Sequence, residues 1–225
     1  MTVGALLAAA GSGERLDAGV PKALCKVSGR TLLEHALTAL RAEPRVGPIV
    51  VTAPADFAPR YVELTSADPM VTVIAGGRTR QDSVRLGLGV LPDEVDVVLV
   101  HDAARPFVPA STIARVLAAI EDGADAVVPA VPVADTIKRV SADGLVLGTV
   151  ERAELRAAQT PQGFQRGPLS AAHQYARMAN LLDVSDDAGL VERHGGKVVV
   201  VEGDARSFKI TRPFDLAVAE LMAAQ

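Results

Sequence analysis

The sequence predicts an α/β fold: a Rossmann-like, doubly wound, mostly parallel sheet carrying a protruding β-hairpin arm. Three observations lead there. Short apolar runs alternate with amphipathic stretches as far as residue 133, the pattern of right-handed parallel crossovers. The glycine-rich and charged segments fall where strands end, which is where such sheets bind ligands. Hydrophobic residues make up 49% of the 225-residue chain and aromatic ones only 3%, with no Trp. An Ala/Val/Leu core with few rings suits strands covered on both faces.

The elements follow in order. The run Gly4-Ala5-Leu6-Leu7-Ala8 reads as a buried strand that empties into Gly11-Ser12-Gly13-Glu14-Arg15 and then Pro21-Lys22. Thr31 caps a helix whose Leu32, Leu33, Ala36, Leu37 and Leu40 share one face. A strand is expected at 48–53, a helix at 57–66 and a strand at 71–75, closing in Gly76-Gly77-Arg78-Thr79-Arg80. A helix over 81–91 turns Val84, Leu88 and Leu91 inward; a buried strand over 95–100 ends in His101-Asp102-Ala103-Ala104-Arg105-Pro106. A helix at 111–121 and a strand at 126–133 complete the regular part.

Residues 135–140 and 145–150 then alternate polar and apolar around Ser141-Ala142-Asp143-Gly144, a hairpin signal. A lone hairpin buries little, so it either grips a second subunit or folds back on its own domain. Beyond it come a short strand and turn at 157–162, a helix at 169–180, strands at 197–202 and 208–210, and a closing helix at 212–223 with Pro213 in its first turn. Ser185-Asp186-Asp187 reads as a helix N-cap with acidic residues placed for the helix dipole. We expect one domain over 1–225, with 134–153 as an arm for dimerisation.

The bulk numbers exclude several functions. A net charge of −4 argues against nucleic-acid and anionic membrane partners. Any phosphate site must be a local cluster of cations. No apolar run is long enough to span a bilayer. One cysteine, Cys25, excludes an internal disulfide and suits a reducing cytoplasm. Four scattered histidines show no metal-ligand spacing, and no metal-binding residue is assigned.

The first loop carries the chemistry. Glycines let backbone N–H groups approach an anion, and Arg15 and Lys22 add charge. It is neither a dinucleotide fingerprint, since Leu16 stands where the third glycine belongs, nor a Walker loop, since no Gly-Lys-Ser/Thr follows. By itself it is equally compatible with an ordinary turn bearing two solvated charges. Gly-x-Gly-x-Arg-Leu followed by Pro-Lys resembles the signature loop of the nucleotidyltransferases that join a nucleoside triphosphate to a phosphorylated sugar or polyol. With Gly-Gly-x-x-Arg-x-Asp-Ser, His-Asp-Ala-Ala-Arg-Pro, Asp-Thr-Ile-Lys, Thr-Pro-Gln-Gly-Phe and Phe-Lys-Ile-Thr in the same order, the chain is similar to the 2-C-methyl-D-erythritol 4-phosphate cytidylyltransferase family from Ala5 to Glu220.

That resemblance implies attack of the polyol phosphate on the α-phosphorus of CTP, with Mg²⁺ held mainly through the CTP phosphates. It implies that Arg15 and Lys22 stabilise the transition state, with Gly11 and Gly13 in the nucleotide loop. Gly77, Ser83 and the backbone of Ala9 and Ala10 would form the cytosine pocket, although Ser83 also reads as a plain helix-start hydroxyl. Arg78 replaces the acidic residue common in the family, a harmless change if the contact is through the main chain. Asp102 and Ala103 would face ribose or polyol, and Asp102 could also orient hydrated Mg²⁺. Arg105, Thr136, Arg152 and Lys209 would position the methylerythritol phosphate, Arg152 in the neighbouring subunit of a homodimer. No general base is needed when the nucleophile is already an anionic phosphate oxygen. Neighbours on a strand point to opposite faces, so His101 and Asp102 cannot form a dyad. A ribitol-5-phosphate cytidylyltransferase is the nearest alternative, but Ala9-Ala10-Gly11 and His101-Asp102-Ala103 stand where those enzymes tend to have Ala-Gly-Gly and His-Asp-Ser. Uridylyl or guanylyl transfer and a non-catalytic nucleotide-binding module are the remaining readings.

Overall fold

The chain begins with a strand buried along almost its whole length, and the rest of the sheet is built outward from it. The structure, a computed structural model, describes residues 1–11, 13, 16, 19–181 and 184–223. In chain order the elements are β1 (Val3–Ala8), β2 (Lys26–Val27), β3 (Arg30–Thr31), α1 (Leu32–Arg41), β4 (Val46–Ala53), α2 (Ala58–Thr65), β5 (Val71–Ala75), α3 (Arg80–Leu88), β6 (Val97–Asp102), α4 (Ala110–Glu121), β7 (Ala126–Pro132), β8 (Ile137–Val140), β9 (Val146–Val150), β10 (Arg156–Ala158), β11 (Gln162–Gln165), α5 (Arg166–Met178), α6 (Asp187–Arg193), β12 (Val198–Glu202) and α7 (Pro213–Ala223).

The main sheet runs β10–β7–β11–β6–β1–β4–β5, with β12 also on β7. The β1–β6, β1–β4, β4–β5 and β7–β12 pairs are parallel. The expected doubly wound, mostly parallel architecture is therefore present. Alternation along β1 serves both faces. Val3, Ala5 and Leu7 pack under Leu33 and Leu40 of α1, Tyr61 of α2 and Ile113 and Leu117 of α4. Leu6 faces the other cover, with Val84 of α3, Leu169 of α5 and Leu190 of α6. Each such fully buried Leu or Ile contributes about 1.5–3 kcal/mol relative to exposure, which holds the helices to both faces. A smaller cluster joins Val27 and Leu32 to Ile210 and Ala219, seating α7.

Local chemistry explains several boundaries. Thr31 and Glu34 form a reciprocal capping box at the start of α1. The strand expected at 48–53 is β4, which starts earlier, at Val46; the β1 register shifts between the Val3 and Ala5 pairs, beside Pro48, which has no N–H for the ladder. The expected helix at 57–66 is a 3₁₀ turn over Ala55–Phe57 followed by α2, and the helix expected at 81–91 starts one residue earlier, at Arg80 behind the Thr79 cap.

Three differences are larger. The turn expected near Gln162 instead leads into β11, which lies antiparallel to both β6 and β7. Its four residues show no alternation; the slot between two parallel strands decides their conformation. Residues 208–210 form no strand, because Ile210 N–H donates singly to Ala104 O and no ladder follows. The short β2–β3 pair was not expected; it turns through Ser28 and Gly29, both at positive φ. The hairpin β8–β9 is present as its own two-stranded sheet. Among the described residues no helix is long and apolar enough to cross a membrane.

Candidate active site

The C-terminal ends of β1, β4 and β6 and the loop after β5 surround a cleft of about 410 Å³. The first loop contributes Ala8 to Gly11 and Lys22, the loop after β5 Gly77 to Arg80 with Ser83, and β6 Asp102 to Ala104. Lys209 arrives from far along the chain. Of the described lining residues, Lys22, Arg78, Arg80 and Lys209 are cationic and Asp102 alone is acidic. On a chain of net charge −4, that local excess is the signature of an anion site.

The first loop is shaped by close packing. Gly13 has φ +78°, and a Cβ there would lie 2.9 Å from the Lys22 backbone nitrogen, so the turn that brings Lys22 to the cleft requires glycine. Arg15, expected beside Lys22, lies outside the described residues. The Ala9 backbone is tied to the scaffold on both sides: its N–H donates to Thr52 O, and its carbonyl accepts from the buried Tyr61 hydroxyl at 3.0 Å. Burial raises the Tyr61 pKa, which keeps that hydroxyl a donor.

The loop after β5 is locked by Ser83. Its hydroxyl accepts from Gly77 N–H at 3.0 Å and donates to Thr79 O at 2.9 Å, so it does more than start a helix. A Cβ on Gly77 would fall 2.3 Å from Asp82 Cβ, which demands glycine at this approach. Arg78 is exposed at the cleft edge.

The charged floor is held by a run of side-chain hydrogen bonds. Asp102 Oδ1 accepts from Arg80 Nε at 3.0 Å and Oδ2 from Lys209 Nζ at 2.7 Å. Arg80 Nη1 also donates to Asp187 Oδ2 at 2.5 Å, and Asp187 Oδ1 meets His173 Nε2 at 3.0 Å. Burial pushes the Asp102 carboxyl up, but the charges of Arg80 and Lys209 outweigh it and hold the group well below the usual carboxylate range. Asp187 is likewise held low against its burial, by the His173 hydrogen bond and Arg80. Burial works against the Arg80 charge, and the two carboxylates raise its pKa despite it. The neighbouring His101 points away, as expected. Burial pushes its pKa down to about 4, and the neutral ring donates from Nε2 to Arg105 O while Nδ1 accepts from the Thr160 hydroxyl.

Of the residues expected in the site, Ala9, Ala10, Gly11, Lys22, Gly77, Ser83, Asp102, Ala103 and Lys209 line the cleft. Arg105 stands behind it: Nη1 donates to Ser207 O at 2.7 Å and Nη2 to Ala158 O at 3.2 Å, clasping the segment that leads to Lys209. Thr136 and Arg152 are exposed at the base of the hairpin, where Arg152 donates to Ala134 O, and neither lines the cleft of its own chain. Asp187 requires a correction. Asp186 is the N-cap, as expected, but the Asp187 side chain is 1% exposed and serves Arg80 and His173 rather than only the helix dipole. Arg80, Tyr61 and Thr160 were not assigned roles from sequence; Arg80 had a signal in its place in the Gly-Gly-x-x-Arg run and Thr160 in opening the Thr-Pro-Gln-Gly-Phe run, whereas Tyr61 had none.

Known proteins resemble this chain in sequence and in fold. A family model described as 2-C-methyl-D-erythritol 4-phosphate cytidylyltransferase matches residues 3–225. The chain is 52% identical over 229 residues to the protein of that name from Saccharopolyspora erythraea, covering 100% of both. It is 49% identical to the one from Streptomyces coelicolor, covering 98% of this chain and 84% of that one. Among solved structures, it resembles the 2-C-methyl-D-erythritol 4-phosphate cytidylyltransferase from Thermus thermophilus with a TM-score of 0.82, at 40% identity over the whole of both chains. It resembles the 4-diphosphocytidyl-2C-methyl-D-erythritol synthase from Anaerococcus prevotii with a TM-score of 0.88, at 27% identity over 99% and 96% of the two chains.

Proposed function

The chain belongs to the 2-C-methyl-D-erythritol 4-phosphate cytidylyltransferase family, and from that premise we infer how its cleft works. It transfers the cytidylyl group of CTP to 2-C-methyl-D-erythritol 4-phosphate, a step of isoprenoid biosynthesis. A phosphate oxygen of the polyol forms a bond to the α-phosphorus as the bond to the β-phosphate oxygen breaks, giving the CDP-linked polyol and pyrophosphate. Displacement at phosphorus asks for positioning and charge stabilisation rather than a covalent partner. The observation that carries the reading is Lys22 on the nucleotide loop facing the same cleft as Lys209 and Asp102.

Lys22, with Arg15, stabilises the charge gathering on the α-phosphate. Gly77, Ser83 and Ala10 enclose the base, and Ala103 with Asp102 receives the sugar. Lys209 and Arg105 serve the acceptor phosphate, Lys209 directly and Arg105 through its clasp on Ser207. The residues present fit a divalent cation carried on the triphosphate. Asp102 has both oxygens bonded to cations, and the other described lining groups are cations, hydroxyls and backbone. When bound there, the cation neutralises phosphate charge.

The acceptor site is completed by a second copy of the chain. The arm 134–153 dimerises, and Arg152 and Thr136 act in the neighbour's cleft. Support comes from the hairpin itself, which exposes Val140, Leu145, Val146 and Leu147 while carrying Arg152 and Thr136 at its base. The setting is cytoplasmic, consistent with the single buried Cys25.

The decisive experiment is product analysis after incubation with CTP, Mg²⁺ and either methylerythritol phosphate or ribitol 5-phosphate. A CDP-methylerythritol product, lost in excess chelator, is expected. Turnover of ribitol phosphate alone would overturn the acceptor, and undiminished turnover in chelator would overturn the metal.

A further inference from the structure

The floor of the cleft contains a chain of linked polar groups: Lys209, Asp102, Arg80 and Asp187 alternate in charge and His173 follows, each within 3.0 Å of the next. Arg80 stands in the middle. It opens α3, behind the Thr79 cap, so its backbone is fixed by the helix. Its guanidinium is planar and its donors form a rigid fork. With Nε on Asp102 and Nη1 on Asp187, two carboxylates from different elements set its orientation. Asp187 is itself held by His173 at a buried position. A flexible cation feeling for phosphate is not built this way. To reach a ligand, Arg80 would have to release two low-lying carboxylates, and Asp187 would remain buried beside His173 alone.

We propose that Arg80 is a positioning residue for the reaction: it fixes the Asp102 carboxylate, and through it the Lys209 ammonium, in the cleft. The Lys209 half of this inference rests on the reading of Lys209 as a partner of the acceptor phosphate. Asp102 has two oxygens, and Arg80 takes one of them, which leaves Oδ2 turned to Lys209. Without Arg80 the carboxylate can rotate or draw Lys209 onto both oxygens, and the ammonium leaves its place. The side chain of Lys209 is 39% exposed, and Asp102 holds its ammonium at 2.7 Å against the freedom of a long stem. Asp187 and His173 act further back, as the anchor that keeps Arg80 from following its own partner.

Mutant cycles measure this directly, because a residue that acts through another loses its effect when that other is gone. Arg80→Ala should lower kcat/KM for methylerythritol phosphate by about 10- to 100-fold in the wild-type background. In the Asp102→Asn background, and again in the Lys209→Ala background, it should lower it by no more than about 2-fold. Arg80→Lys, which can reach one carboxylate at a time, should recover part of the loss. Thermal melting of every variant separates lost folding from lost positioning; if Arg80→Ala does not fold, Arg80→Lys carries the same cycles. Losses that multiply with that of Asp102→Asn would mean that Arg80 touches substrate on its own account, and would overturn the proposal. So would full activity of both Arg80 variants. If Lys209→Ala alone leaves the rate intact, the reading of Lys209 fails, while the cycle with Asp102 still decides for or against Arg80.

Discussion

The cleft and the hairpin arm are built on opposite principles. Among the described residues of the cleft floor, Arg80 and Lys209 are each paired with Asp102, Ser83 is hydrogen-bonded on both sides and Gly77 is closely packed. On the arm, β8 and β9 pair only with each other, and Leu145, Val146 and Leu147 are more than half exposed. A site that stabilises a transition state must be ordered before substrate arrives. A two-stranded hairpin has no core of its own, so its apolar face is stable only against a second surface. The contrast teaches that the charged floor is finished by the subunit's own fold, whereas the arm is left unfinished and, on the reading proposed above, is completed by assembly together with the acceptor end of the cleft.

The sharpest test of the finished end is Lys22. Lys22→Ala should lower kcat by roughly 10²–10³ with the melting temperature unchanged, the range for removal of one transition-state donor. A rise in KM with kcat intact would instead mean that Lys22 only binds the ground state.

Next comes His101, which tests whether the cleft end is as rigidly organised as its hydrogen bonds suggest. The unfolded chain takes up a proton near pH 6.5, whereas burial holds the folded group neutral down to about 4. Stability from this group is therefore complete above about pH 6.5 and falls as the pH drops toward 4, by about 3 kcal/mol in all. Urea unfolding across that window should show the slope in the native protein and its loss in His101→Gln. Equal slopes would mean that His101 is protonated in place.

Mixed dimers probe the unfinished end. Lys22→Ala and Arg152→Ala subunits, each nearly inactive, are dissociated and reassociated together. If Arg152 works across the interface, half of the dimers hold one intact site, so about a quarter of the native rate returns. Continued inactivity, with heterodimers confirmed by mass, would return Arg152 to its own subunit. The smallest effect on the subunit itself is expected from Leu145, Val146 and Leu147 changed to Ser. Subunit stability should move by less than about 0.5 kcal/mol, as for exposed positions, while sedimentation shows a shift toward monomer. An unchanged oligomer would detach the arm from assembly.

Much of this was legible before any coordinates. β1, β4, β6 and β7 announce themselves as apolar runs because they are buried on both faces, and Thr31 and Pro213 mark helix starts through chemistry local to a few residues. The place of the first loop at the end of β1 was legible for the same reason, since glycine spacing and a following Lys are local facts; its role was read from the resemblance. β11 was not, because its Gln162 and Gln165 ends follow no period and only the strands beside it make it extended.

The sequence by itself therefore determined the layered α/β architecture, the position of the first loop and the presence of the arm, since each depends on periodicity or turn chemistry within a short window. Only the tertiary structure decided which charges meet. Arg80 and Asp187 are 107 residues apart, as are Asp102 and Lys209, and Tyr61 and Ala9 are 52 apart. Asp187 read as a helix-dipole partner because its own neighbours make it one; the half-buried Arg80 that gives it a second role belongs to a different helix. Electrostatic partnership acts through space, across distances of about 3 Å, and no local pattern encodes which distant residue the fold will bring that close.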